Sequence, residues 1–141
     1  MADDEERDTP FDGALVSAFW TYSRLTAAAD RAERLNAVNW FWAWEAVNRA
    51  TAIQVDGVVP LLVALADAVP GSFEDLAYLG AGPFENLLRH GNQPPSPEIL
   101  DELDDAARQN ENVRLAIRAV WWGQDDDPST VARFKRFGPS Y

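Results

Sequence analysis

The sequence contains no cysteine, a single histidine, His90, and a single lysine among its 12 basic residues. Without cysteine, the chain has no disulfide framework, no thiolate metal site and no cysteine nucleophile. One histidine is too few for a histidine-rich metal site, and no Ser-His-Asp pattern surrounds His90. We therefore expect neither a metal nor another cofactor. The excess of arginine over lysine is typical of a GC-rich bacterial genome.

Long hydrophobic runs are also missing. The longest, GVVPLLVALADAVPG at residues 57–71, contains Asp67 and two prolines and is too short to span a bilayer. The N-terminal MADDEERDTP is acidic, whereas a secretory signal begins with basic residues. The sequence therefore predicts a cytoplasmic protein without a membrane segment.

Positive charge is scarce as well, since 12 basic residues face 23 acidic ones and the formal net charge is −11. Nucleic-acid binding needs a basic footprint on phosphate, and anionic membranes attract basic segments. The charge argues against both kinds of partner. It favours a basic protein as the partner.

The residues that are present favour one folded, all-α domain. The chain has 141 residues, 47% of them hydrophobic, and six tryptophans, a composition unlike that of a disordered protein. No run alternates with period two, so no strand is predicted. We expect a disordered acidic tail at residues 1–10, a helical domain at 11–123, and a C-terminal tail at 124–141 with at most one short helix packed on the domain.

Apolar spacing and capping residues predict six or seven short-to-medium helices, packed as helix–corner–helix pairs in a HEAT-like arrangement or an irregular bundle. The third should be central, because it is apolar on nearly all sides. The helices are expected to begin near Asp12, Asp30, Pro60, Ser72, Pro83 and Ser96, and the last carries Val113, Ala116, Ile117, Val120 and Trp121.

The segment LGAGPFE at residues 79–85 predicts a corner between two of these helices. Gly80 would close one helix in the left-handed conformation, and Pro83 would open the next. Glu85 would lie in that first turn, where exposed amides favour a negative charge. The alternative is an anion site on the amides of residues 82–85, which Glu85 opposes. No lysine follows Gly82 closely, so this is not a nucleotide P-loop.

The stretch AYLGAGPFENLLRHG, followed by EILDELDDAARQNENVRLAIRAVWW, resembles a bacterial family of uncharacterised all-helical domains. The family signature is Leu-Gly-Ala-Gly-Pro, an apolar residue, Glu and a Leu pair, and the resemblance covers roughly residues 40–122. Phe84 stands where the family more often has leucine. The resemblance implies an all-helical fold and no established activity.

The second helix has two apolar faces. One is a core stripe that carries Trp40, Phe41 and Trp44. Trp42 lies on the other, near Leu35 and Val38, bordered by an expected ion pair between Glu45 and Arg49. A central helix with neighbours on both sides is the favoured interpretation. The alternative is that Trp42 is an exposed binding anchor ringed by charge.

Two further groups are candidates for partner binding. In the last predicted helix, Trp121 should face the core, and Trp122 should lie on the other side, stacked with Arg118 and Arg114 or covered by their stems. The four acids Asp101, Glu102, Asp104 and Asp105 should mostly cover the outer surface of the sixth helix, either as a solvated face or as a docking surface for a basic partner. The acids at 125–127 lack the ligand spacing of a calcium loop.

Three functional hypotheses follow. The first is a small acidic protein-interaction module, for example an immunity- or antitoxin-like inhibitor of a basic protein, acting as a monomer or small homo-oligomer. The second is a ligand-binding protein or enzyme with a tryptophan-lined pocket near His90. The third is an acidic mimic of DNA, which needs two rows of carboxylates where the sequence shows only the run at 98–105.

Overall fold

A computed structural model describes residues 13–71, 73–89 and 94–138, and for Phe73 the backbone alone. These residues form seven helical segments and contain no strand, which confirms the all-α prediction. The predicted caps Asp12 and Ser72 lie outside the described residues. Five of the segments are single α-helices: α1 (Gly13–Thr26), α3 (Val58–Asp67), α5 (Pro97–Gln109), α6 (Glu111–Arg118) and α7 (Pro128–Lys135).

The other two segments, α2 and α4, change helix type along their length. Segment α2 combines an α-helix at Arg31–Asn36, a 3-10 turn at Ala37–Trp40 and an α-helix at Phe41–Ile53. Segment α4 combines an α-helix at Phe73–Leu79, a π-helical turn at Gly80–Phe84 and an α-helix at Glu85–Leu88.

Helix α3 lies at the centre of the core, as its apolar sequence predicts. It begins after Gly57, whose φ of 87° suits glycine. The indole N–H of Trp20 in α1 donates to the carbonyl oxygen of Leu65 at 2.9 Å, so a buried polar group is satisfied where the two helices meet. Six residues of α3 are buried: Val58, Val59, Leu61, Leu62, Leu65 and Ala66.

Side-chain caps fix the start of both α5 and α6. The Ser96 hydroxyl accepts from the backbone N–H of Ile99 at 3.2 Å, which confirms the predicted start of α5. Asn110 caps α6 by accepting from Val113 N–H at 3.2 Å, and its amide also donates to the Asp67 carboxylate at 2.7 Å. One asparagine therefore starts α6 and ties it to the end of α3.

Gly80 does not end a helix, so this part of the predicted corner is wrong. Among the described glycines, only Gly57 and Gly138 have a positive φ. Gly80 lies inside α4, where a Cβ atom would lie 1.9 Å from the carbonyl oxygen of Ala116. The glycine is needed because α4 and α6 come into close contact there, and not because the chain turns.

The remaining corner residues, Gly82, Pro83 and Glu85, also lie within the continuous α4 segment. Since Pro83 has no N–H to donate, it fits the wider hydrogen-bonding pattern of a π-helical turn. Glu85 accepts the backbone N–H of Trp121 at 2.8 Å and so holds the chain just after α6. Because the helical segment continues through residues 82–85, no free helix N-terminus lies there, which removes the basis for the anion-site alternative.

The last helix, α7, packs on the rest of the fold through Phe134, which is 1% exposed and belongs to the hydrophobic core. Asp127 caps this helix by accepting from the backbone N–H of Thr130 at 3.0 Å. Residues 124–138 therefore contribute to the core as well as to the surface.

Candidate functional site

The outer face of α2, formed by Leu35, Val38 and Trp42, is the clearest candidate for a binding surface. These side chains are 63%, 73% and 51% exposed, although all three are large and apolar. Leu35 lies in the first α-helix of α2, Val38 in the 3-10 turn and Trp42 at the start of the second α-helix. The favoured prediction, in which neighbours cover both faces of α2, is wrong for this face.

Packing of the opposite face of α2 explains why the face with Trp42 is exposed to solvent. Phe41 and Trp44 stack with their ring centroids 5.4 Å apart, and the Tyr22 ring of α1 lies 5.9 Å from Phe41. Val47 and Thr51 are fully buried one and two turns farther along. Packing of this inner stripe against α1 fixes the orientation of α2 and leaves Trp42 on the solvent side.

A second contact holds α2 from the side of α4. The Asn86 amide donates to the Thr51 hydroxyl at 2.5 Å and to the Asn48 carbonyl oxygen at 3.1 Å. Thr51 in turn donates to the Asn48 carbonyl at 2.9 Å, one helical turn back. Asn86 was not predicted, although a polar residue beside a buried leucine pair is a signal for such a bridge.

Charged and amide side chains surround the outer face of α2. Glu45 and Arg49 are both exposed, as predicted. The ion pair expected between them does not form in the described structure. Asn39 donates to Asn36 at 2.6 Å beside the apolar residues. An apolar centre with a polar border is the usual anatomy of a protein–protein interface.

Asp104 overturns part of the predicted acidic surface of α5. Only 2% of this residue is exposed. Its carboxylate accepts from Arg133 Nε at 2.6 Å, pairs with Arg108 Nε at 2.9 Å, and also binds Arg136. The spacing of Leu100, Leu103, Asp104 and Ala107 places the acid on the inner face of α5, a signal that the sequence analysis did not use.

The arginines determine the ionisation of Asp104. Burial alone would raise the pKa of this carboxyl, but the hydrogen bond from Arg133 and the charges of Arg136 and Arg108 outweigh it and lower the pKa below its ordinary value. The same contact raises the pKa of Arg133. The cluster therefore stays ionised and joins α5 to α7.

Asp101 and Asp105, the two α5 acids predicted to bind a partner, are both exposed. Asp101 pairs with Arg133 at 2.6 Å, so part of its charge is used within the chain. Asp105 has no ion pair within the described residues. Because Asp104 is buried and neutralised between them, the carboxylates of α5 do not form the continuous row that a DNA mimic requires.

Arg118, Trp121 and Trp122 differ from their predicted arrangement. Helix α6 ends at Arg118, so the helical period does not extend to the tryptophans. Trp121 is 63% exposed, whereas Trp122 packs against the core. Arg118 donates to the carbonyl of Phe137 at 2.7 Å, and neither it nor Arg114 stacks on Trp122 in the described structure.

The enzymatic alternative depends on His90, which lies outside the described residues. A cleft of 730 Å³ beside Arg89 and Trp122 is near it in sequence. Arg89 is held there by Asp126 at 2.7 Å and by Glu85 at 3.4 Å. These contacts connect α4 to the loop before α7. The cleft is also lined by Ser129 and Thr130, whose hydroxyls donate to the Asp127 carboxylate at 2.6 and 3.0 Å as part of the cap of α7.

Metal chemistry and membrane insertion find no support in the described residues. There, no group of three or more histidine or acidic side chains could hold a metal ion. No described helix has the length and apolar character needed to cross a membrane. The chain matches no protein-family model, no curated protein and no solved structure. The family resemblance therefore stays a prediction.

Proposed function

We propose that this protein is a small acidic interaction module that binds a basic partner protein through the outer face of α2. The observation that carries the proposal is the exposure of three large apolar side chains, Leu35, Val38 and Trp42, within eight residues of segment α2. Burying the exposed apolar surface of these side chains against a partner stabilises the complex. Tryptophan is also among the residues that most often dominate binding energy.

The net charge of −11 supports a basic partner. On α5, Glu98, Glu102 and Asp105 are exposed, and the first two line a cleft with Gln54 and Asp56 at the end of α2. Negative charge on the protein speeds association with a basic protein, by an amount that falls with ionic strength. An immunity- or antitoxin-like inhibitor in the cytoplasm is the concrete form of this proposal.

A tagged pull-down from the source organism tests it, with bound proteins identified by mass spectrometry. We expect one stoichiometric basic protein, reduced at least about tenfold by Trp42→Ala, since a truncated anchor costs 2 kcal/mol or more. Trp121→Ala is the matched control, because Trp121 is 63% exposed but lies outside the face. It should leave capture unchanged.

Charge reversal tests the electrostatic part separately. Asp105→Lys is the suitable variant, because this exposed acid has no ion pair within the described residues, whereas Asp101 binds Arg133. It should slow association at low salt and have little effect at high salt. Equal capture by wild type and Trp42→Ala would reject the α2 face, and a salt-independent association rate would reject the basic partner.

A further inference from the structure

A second surface, independent of the α2 face, lies between α1 and α3. It is a groove of 560 Å³, within the range of about 300–1,000 Å³ that is typical of small-molecule sites. Its walls are mainly apolar and include Val16 and Trp20 from α1 and Ala64, Ala68 and Pro70 from the end of α3. These residues favour the apolar body of a ligand over a polar one.

Two hydrogen-bond donors in the wall of the groove, on Trp20 and Thr21, are already used within the chain. The indole N–H of Trp20 already donates to the Leu65 carbonyl, so it is not available to a ligand. Thr21 also lines the groove, and its hydroxyl donates to the Ser17 carbonyl at 2.9 Å. Neither donor is therefore free to recognise a polar group, and recognition falls to the remaining polar side chains.

Arg24 is the one charged side chain among the described residues that line the groove. Val16, Trp20 and Arg24 follow each other at intervals of four, so they form a row about 12 Å long on one side of α1. Arg24 ends this row and gives an otherwise apolar groove a cationic end.

Arg24 also differs from most arginines of this chain in having no intramolecular partner. Within the described residues it makes no ion pair and no side-chain hydrogen bond. By contrast, Arg34, Arg114 and Arg118 donate to backbone carbonyls. The guanidinium of Arg24, beside an apolar groove, is therefore available to an external anion. It is a local positive charge in a protein whose net charge is −11.

From this juxtaposition we infer that the groove between α1 and α3 binds a small amphipathic carboxylate, with its apolar chain along Trp20, Ala64 and Ala68 and its carboxylate on Arg24. Guanidinium and carboxylate have matching planar geometry and form charge-assisted hydrogen bonds. The site is chemically unlike the α2 face, which presents three exposed apolar side chains, and neither proposal depends on the other.

Titration with octanoate tests the inference, with octan-1-ol and octylammonium as probes of the same chain and a different head group. Isothermal calorimetry gives the affinities, and amide and indole NMR shifts locate the binding. We expect saturable binding of octanoate with shifts at Trp20, Ala64 and Ala68. We also expect octanoate to bind more tightly than octylammonium, despite the net negative charge of the protein.

Two variants separate the head group from the chain. Arg24→Gln should weaken octanoate binding about tenfold, the loss expected for one charge-assisted contact, and leave octan-1-ol unchanged. Ala68→Trp should fill the groove from its exposed side and abolish the binding of both. Arg31→Gln, which removes an exposed arginine outside the groove, is the matched control.

Each contrary result would overturn the inference. Tighter binding of octylammonium than of octanoate would show that the net charge of the protein, and not Arg24, selects the ligand. Equal loss with Arg24→Gln and Arg31→Gln would give the same conclusion. Absence of saturable octanoate binding, with all variants folded by circular dichroism, would remove the site itself.

Discussion

Helix α2 and the junction of α5 with α7 place unusual residues in opposite environments. At the junction, the charged residue Asp104 is buried, and three arginines of the same chain surround it. On α2, the apolar residues Leu35, Val38 and Trp42 are exposed, and no described helix covers them. Both arrangements depart from the ordinary rule of polar outside and apolar inside.

The two arrangements differ in whether contacts within the chain offset their unfavourable free energy. The cost of burying Asp104 is offset within the chain, so the residue is explained by the fold itself. Exposure of the α2 side chains is offset by nothing in the described structure. A contiguous apolar patch on a protein surface is informative for this reason, and it directs attention to a partner outside the chain.

Removal of the buried carboxylate should have the largest effect. Asp104→Ala removes a buried carboxylate, leaves Arg136 without an ion pair among the described residues and leaves Arg133 with Asp101 alone, so we expect the free energy of unfolding to fall by about 3 kcal/mol. Urea unfolding measures this loss. Asp105→Ala is the matched control, since the neighbouring acid is exposed, and it should change stability by less than about 0.5 kcal/mol. Equal effects would contradict the distinction between the two acids.

Alanine substitutions at Gly80 and Gly82 test how tightly α4 packs against α6. In Gly80→Ala the new methyl group would meet the Ala116 carbonyl, and we expect a loss of about 2 kcal/mol in unfolding free energy. Gly82→Ala has nothing within 4 Å of its added methyl group and should be neutral or slightly stabilising. The reverse order would contradict the close contact between Gly80 and Ala116.

Acid should weaken the junction selectively. Because the folded pKa of Asp104 is lowered, its stabilising contribution is complete above the unfolded value of about 4 and disappears as the pH falls through the folded pKa. Between about pH 4 and pH 2, wild type should lose more stability than Asp104→Asn. Asp127, whose pKa is also lowered, is present in both proteins and cancels in the difference. Parallel pH profiles would contradict a stabilising ionised Asp104.

The α2 face should show the smallest effect on stability. Trp42→Ala is expected to lower the free energy of unfolding by only about 1 kcal/mol, because the residue is 51% exposed. Trp20→Ala, at a position where 5% is exposed, should cost about 3 kcal/mol. A large loss for Trp42→Ala would show that the face belongs to the fold, and the comparison with the junction would fail.

The sequence was sufficient to predict most of the helices, but not the contacts between them. Spacing of apolar residues placed α3 at the centre, and Ser96 marked the start of α5. Gly80 was misinterpreted because a glycine at a helix end and a glycine at a helix crossing look alike in one sequence. The close approach of Ala116 distinguishes the two cases, and Ala116 is too far along the chain from Gly80 for a local sequence pattern to reveal it.

The candidate site was predictable in part for the same reason. Helical periodicity in the sequence of α2 separated Trp42 from the core stripe. It could not show whether another helix covers the side that carries Trp42. Trp121 and Trp122 were assigned to the wrong sides, because the period was extended past the end of α6 at Arg118. Asp104 lay on the inner stripe by spacing, yet its partners Arg133 and Arg136 come from the distant α7.

The most direct test of the α2 face is site-specific photo-crosslinking in living cells of the source organism. A p-benzoyl-phenylalanine residue replaces Val38 in one variant of the full chain and Trp121 in another, both at exposed positions. The account predicts a light-dependent adduct with one basic protein from position 38 and none from position 121. Adducts of equal yield from both positions, or none from position 38, would contradict it.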